Sequence, residues 1–171
     1  MHSTDGFFHI LFNMFALVMF GSIIERVFGS KRFLNYYLIC ALGALVLQYG
    51  VQAIEVQQIT GTVQASSYLN FDLAQNRVST QSIYSTPMVG ASGAIFGLLL
   101  AFAYLFPNMP LYFMFIPVPI KAKYFVGAYI VIELYLGFSN SGSSIAHLAH
   151  VGGALFGYLL IKVWRIKKGY Y

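Results

Sequence analysis

VGASGAIFGLLLAFAYLF, residues 89–106, is an uncharged run of apolar and small residues with a single serine near its start. At about 1.5 Å of rise per residue, such a run crosses most of the ~30 Å hydrocarbon layer of a bilayer as a helix. Four further apolar stretches flank it, at 7–28, 33–53, 124–138 and 145–164. The 124–138 stretch is short and is expected to begin nearer Ile120. The whole chain of 171 residues is 58% hydrophobic and only 9% charged, and its mean hydropathy is +0.70. Soluble domains carry roughly 25% charged residues. The predicted fold is therefore all-α: a polytopic membrane helical bundle with five transmembrane helices, forming one domain over residues 1–171 with no internal repeat.

The net charge of +5 could point to nucleic acid, but the distribution of the basic residues argues otherwise. Arg26, Lys31 and Arg32 lie between the first two spans, Lys121 and Lys123 between the third and fourth, and Lys162, Arg165, Lys167 and Lys168 after the fifth. Only Arg77 falls in the opposite loops. This is the pattern of a topology signal, so no nucleic-acid partner is expected, and the C-terminus is placed in the cytoplasm. The N-terminus and the loops 54–88 and 139–144 are then extracytoplasmic. Met1 is followed at once by His2-Ser3-Thr4-Asp5-Gly6, without the basic start and cleavage site of a signal peptide. Cys40, the one cysteine, is expected to be a packing residue. Residues 55–87, rich in Gln, Ser, Thr and Asn, read as an outer loop in which short helical or extended pieces stay open. Pro107, Pro110, Pro117 and Pro119 predict an extended, interfacial inner connection.

Ionisable and strongly polar groups inside a bilayer are costly, and here they are few: His9, Asn13, Ser92, Glu133, His147 and His150. The topology brings His9 and Asn13 near the outer end of span one, Ser92 near that of span three and His150 about one turn into span five. Three helices thus deliver these groups to similar depth. Ser92 lies in Gly90-Ala91-Ser92-Gly93, at the start of a helix, where free N–H groups and the positive dipole end favour an oxyanion. Ala94 replaces the last glycine of the soluble G-x-S-x-G elbow. Gly153 and Gly157 follow His150 on one helical face, and Gly93 and Gly97 have matching spacing on span three, so two small-residue faces are expected to pack closely. That packing would bring the His150 imidazole within reach of the Ser92 hydroxyl, as a general base requires. A small-residue helix contact and a hydrogen-bonded packing histidine are the structural alternatives for the two residues taken singly.

His9 and Asn13, one turn apart, could both donate toward one point, as an oxyanion clamp or as interhelical polar contacts. His147 precedes His150 by one turn. Half a metal site is the sharp reading, but no third ligand is evident in the sequence at that depth and H-E-x-x-H is absent, so no metal and no cofactor are expected. His147 is expected to face the outer loop or to support His150. Asp5 and Asp72 lie in loops, which removes an intramembrane aspartyl dyad, and no outer lysine is available to Ser92. What is left is a Ser-His dyad. Glu133 in span four stays open between a buried hydrogen bond, a gating role and snorkelling to the interface.

His9-Ile-Leu-Phe-Asn13 resembles the H-x-x-x-N element of the rhomboid family, Gly90-Ala-Ser92-Gly93 its G-x-S-G motif, and Ala149-His150-Val-Gly-Gly153 with Gly157 its A-H-x-x-G-x-x-x-G helix. The resemblance implies an intramembrane serine endopeptidase. Ser92 would be its nucleophile, His150 its base, His9, Asn13 and the Ser92 N–H its oxyanion donors, and Gly90, Gly93, Gly97, Gly153 and Gly157 would support them. The substrates implied are transmembrane segments of other proteins in the lipid bilayer. The family's mobile gate and cap would correspond to span four and residues 137–144. The family core has six spans, and the five here look like its second to sixth, so the chain is expected to be N-terminally truncated. Short loops favour a bacterial plasma membrane, with the site toward the extracytoplasmic side. The alternative is a non-catalytic rhomboid-like protein that binds membrane clients, but such relatives usually lack the serine or the histidine. A transporter would need polar groups through the full membrane depth.

Overall fold

A computed structural model of the chain describes residues 4–60, 91–113, 116–138 and 144–168. The first apolar stretch is one continuous rod. Helix α1 (Thr4–Ala16) runs through a π-helical turn (Leu17–Gly21) into α2 (Ser22–Phe28), and Ala16 and Ser22 keep right-handed helical backbone on either side of the turn. Gly29 ends the rod: its φ of 77° is a conformation that few other residues adopt, and its N–H donates to the Glu25 carbonyl at 2.7 Å. Helix α3 (Ser30–Thr60), α4 (Ala91–Leu105), α5 (Ala122–Phe138) and α6 (Ser144–Val163) follow. Each expected span has its helix. The rod's 10–28 segment and the 30–58 segment of α3 are long and apolar enough to cross a membrane.

Two expectations need correction. Helix α3 continues to Thr60 instead of giving way to loop near residue 54, because residues 55–60 hold no glycine or proline and Val56 is fully buried. The fold is also not purely α. Strands β1 (Pro110–Phe113) and β2 (Ile116–Lys121) pair antiparallel, with Pro110 opposite Lys121 and Leu111 opposite Ile120. The prolines do enforce extended backbone, but the pairing across the turn was not legible in them. In a two-stranded ribbon both strands are edges, where proline's missing N–H costs no ladder bond if it faces outward. The remainder of the expected outer loops, 61–90 and 139–143, lies outside the described residues.

Helix α3 explains how an apolar chain chooses an inside. Tyr36, Cys40, Ala44, Gln48, Gln52 and Val56, every fourth residue, are buried, while Leu34, Leu38, Leu42 and Val46 are exposed. The outward face is as apolar as the inward one, which suits lipid and not water. Ile10, Phe12, Phe15 and Val18 on the first rod and Val131, Ile132 and Tyr135 on α5 continue that exposed apolar belt. The inward face of α3 packs against both α4 and α6. At the end of the bundle where α2 meets α3, Phe28 meets Tyr36 and Trp164 edge to face, with ring centroids 5.4 Å and 6.0 Å apart.

Candidate functional site

Ser92 lies in the first turn of α4, directly after the helix starts at Ala91. The first turn of a helix carries the positive end of its dipole. The next residue, Gly93, meets Gly153 of α6 so closely that a β-carbon on Gly153 would strike the Gly93 carbonyl oxygen. His150 stands one turn before Gly153, so this contact sets the imidazole level with the serine. His150 Nε2 is 2.9 Å from Ser92 Oγ. Phe96, one turn after Ser92, stacks on the imidazole with centroids 4.5 Å apart and planes 6° from parallel. Tyr129 of α5 packs in turn against Phe96, at 4.7 Å.

The other edge of the imidazole faces Glu133. His150 Nδ1 lies 2.9 Å from Glu133 Oε2, and His147 Nδ1 lies 2.8 Å from the same oxygen. Helix α5 comes close enough to α6 for this because Gly137, one turn beyond Glu133, leaves space for Leu148; a β-carbon there would lie 2.9 Å from the leucine side chain. The Glu133 side chain is only 5% exposed, against 16% for His150 and 21% for His147. Of the three roles left open for Glu133, snorkelling to the interface is therefore excluded by burial. His147 does not simply face the outer loop: it shares the carboxylate with His150.

Glu133 is also the third potential ligand that sequence spacing did not reveal. With His147 and His150 it offers donor atoms within 4.8 Å of one another. The two N···O separations are hydrogen-bond lengths, shorter than the roughly 3.3 Å between co-ligands of a tetrahedral zinc with ~2.0 Å bonds.

The glycine faces behave differently from expectation in one respect. Gly93 and Gly153 do meet, and a β-carbon at Gly97 would lie 3.2 Å from the Gly153 carbonyl oxygen. Both Gly93 and Gly97, however, also face α3, where their β-carbons would strike Ala44 and Cys40. A β-carbon at Gly157 would meet the Tyr36 hydroxyl and Cys40 of α3 first. That hydroxyl donates a buried 2.8 Å hydrogen bond to the Gly97 carbonyl. The small residues thus seat three helices together, not two. Asn13 is buried on α1, which packs against α4. His9 falls one turn earlier in α1, but its side chain and Gly90 lie outside the described residues. Two buried polar residues escaped the sequence reading, Gln48 and Gln52 on α3. Their signal was the fourfold spacing that continues the Tyr36, Cys40 and Ala44 face.

Residues 1–166 match the sequence profile of the Rhomboid domain. Among curated proteins, the chain is 26% identical to "Rhomboid protein 1, mitochondrial" of Saccharomyces cerevisiae, over 97% of this chain and 40% of the relative. It is 32% identical to "RHOMBOID-like protein 12, mitochondrial" of Arabidopsis thaliana, over 94% of this chain and 43% of the relative. It is 31% identical to "Rhomboid protease AarA" of Providencia stuartii, over 89% of this chain and 49% of the relative. The chain spans less than half the length of each of these relatives. No solved structure matches it significantly.

Proposed function

Since the chain belongs to the rhomboid family of integral membrane proteins, we propose that it is a serine endopeptidase that cleaves peptide bonds in or near transmembrane segments of other membrane proteins. The observation that carries this reading is the 2.9 Å contact between His150 Nε2 and Ser92 Oγ. It is a nucleophile–base pair at hydrogen-bonding distance, held where three helices meet.

In this reading Ser92 Oγ attacks the carbonyl carbon of the substrate as its proton passes to His150 Nε2. The carbonyl π pair moves onto oxygen, where the Ser92 N–H at the start of α4, with Asn13 and His9 from α1, stabilises it. Collapse of the intermediate breaks the C–N bond, and His150 returns the proton to the leaving amine. Water then attacks the acyl-enzyme by the same route and frees Ser92. The five spans take the places of the second to sixth helices of the family core. Residues 1–171 act as one membrane domain, α5 and residues 137–144 act as gate and cap, and the site opens toward the extracytoplasmic side of a bacterial plasma membrane. No cofactor takes part.

The test is labelling of the intact protein in detergent by a fluorophosphonate, with Ser92→Ala and His150→Ala beside it. Labelling of the wild type and its loss in both variants is the expected result. Labelling that survives Ser92→Ala, or a wild type that stays unlabelled while folded, overturns the proposal.

A further inference from the structure

Resting on the protease reading, we propose that Glu133 is a positioning residue that makes the site a Ser92–His150–Glu133 triad, with His147 pinning the carboxylate from its other side. A Ser-His dyad was the expectation from sequence. The buried carboxylate against His150 changes what the imidazole is able to do.

Donor and acceptor roles around the carboxylate decide the tautomer of His150. An ionised carboxylate only accepts, and Oε2 of Glu133 lies at hydrogen-bonding distance from Nδ1 of both histidines. Both Nδ1 atoms must then carry the proton and donate it. For His150 this leaves Nε2 bare, with its lone pair toward Ser92 Oγ 2.9 Å away, so the hydroxyl donates to it. The opposite tautomer would set a lone pair against the carboxylate and a proton against the serine, and no base would be present.

Each contact on the ring does a separate job. The Phe96 stack fixes the ring plane but is indifferent to a 180° flip about the Cβ–Cγ bond. Glu133 distinguishes the two flips, because only one of them turns Nδ1 toward it. His147 gives the carboxylate a second N–H, which holds Oε2 in place and helps meet the cost of burying it in a side chain 5% exposed. When the Ser92 proton moves to Nε2, the resulting imidazolium faces a carboxylate that stabilises it without taking the proton.

Two measurements on the intact protein in micelles test this. Nitrogen-15 NMR of the histidine side chains, with His150 assigned by the loss of its signals in His150→Asn, is expected to show Nδ1–H and a bare Nε2 in the wild type. In Glu133→Gln that tautomer preference is expected to be lost. Kinetically, Glu133→Gln is expected to lower kcat by up to about 10⁴-fold with KM little changed, the loss seen when the orienting Asp of a serine protease becomes Asn. Glu133→Asp, which keeps the carboxylate, is expected to recover at least tenfold over the glutamine variant. A wild-type His150 protonated on Nε2, a tautomer unaltered in Glu133→Gln, or a Glu133→Gln kcat within about threefold of wild type would each overturn the inference. If Glu133→Gln does not fold, the wild-type tautomer decides. The NMR readout is independent of turnover, so failure of the protease reading is recognised separately, as a wild type that fluorophosphonate does not label.

Discussion

A β-carbon at position 153 would run into the Gly93 carbonyl oxygen, so Gly153 sets the separation between the helices that carry Ser92 and His150. Backbone cannot yield as the end of a flexible side chain can. Gly153→Ala is expected to cost about 1–3 kcal/mol through overpacking and to lower the thermal midpoint in detergent while removing fluorophosphonate labelling. The companion is Gly127→Ala on α5, where a β-carbon meets nothing within 4 Å. There the change is expected to stay within about 1 kcal/mol, because alanine's better helix propensity is the main effect left, and labelling is expected to persist. Equal losses in both variants would mean that the Gly93–Gly153 contact has no special role. A different residue-scale test concerns Asn13, buried on α1. If it donates to the oxyanion, Asn13→Ala is expected to lower kcat by about 10²-fold with an unchanged thermal midpoint; an interhelical polar contact would instead show as lost stability with kcat retained.

At the scale of elements, α3 is the helix on which α4 and α6 are both seated, although it carries neither member of the nucleophile–base pair. Its Tyr36 hydroxyl donates to the Gly97 carbonyl in space that Gly157 leaves open. Removing that hydroxyl in Tyr36→Phe is expected to cost about 0.5–2 kcal/mol, the span measured for interhelical hydrogen bonds in membranes, read as a lower thermal midpoint with the 2.9 Å Ser92–His150 contact and its labelling preserved. The same helix shows what sequence can and cannot disclose. The spans were legible because lipid demands an unbroken apolar run, and that demand acts on each stretch separately. Ser92 and His150 were legible because both stand beside glycines at matched depth. Glu133 was not assignable, because its role depends on how far α5 is rotated and how closely Gly137 lets it approach Leu148. Gly157, whose nearest neighbours are Tyr36 and Cys40 of α3, shows a related limit: a small-residue face tells that a helix comes close, and not which of two helices it is. The β1–β2 hairpin was hidden because extended backbone dictated by proline looks the same whether or not it pairs.

For the whole molecule, the exposed apolar belt of α1, α3 and α5 fixes where lipid lies but leaves both orientations across the membrane open, and charge has to choose between them. On the topology expected from sequence, nine of the ten Lys and Arg residues fall on the side of the C-terminus and Arg77 alone on the other, the bias by which basic loops are retained in the cytoplasm. Ser92 stands at the opposite end of α4 from that basic side, so orientation also decides which compartment supplies water and substrate to the site. Cys40 is fully buried against Gly97, so single cysteines can be added without removing it. In intact bacterial cells, Ser67→Cys is expected to react with a membrane-impermeant maleimide, and Lys167→Cys is expected to react only after the membrane is permeabilised. The reverse pattern would place the Ser92–His150 pair toward the cytoplasm and overturn the charge-based topology. Reaction of the unsubstituted protein at Cys40 would mean instead that α3, α4 and α6 do not close on one another as they do here.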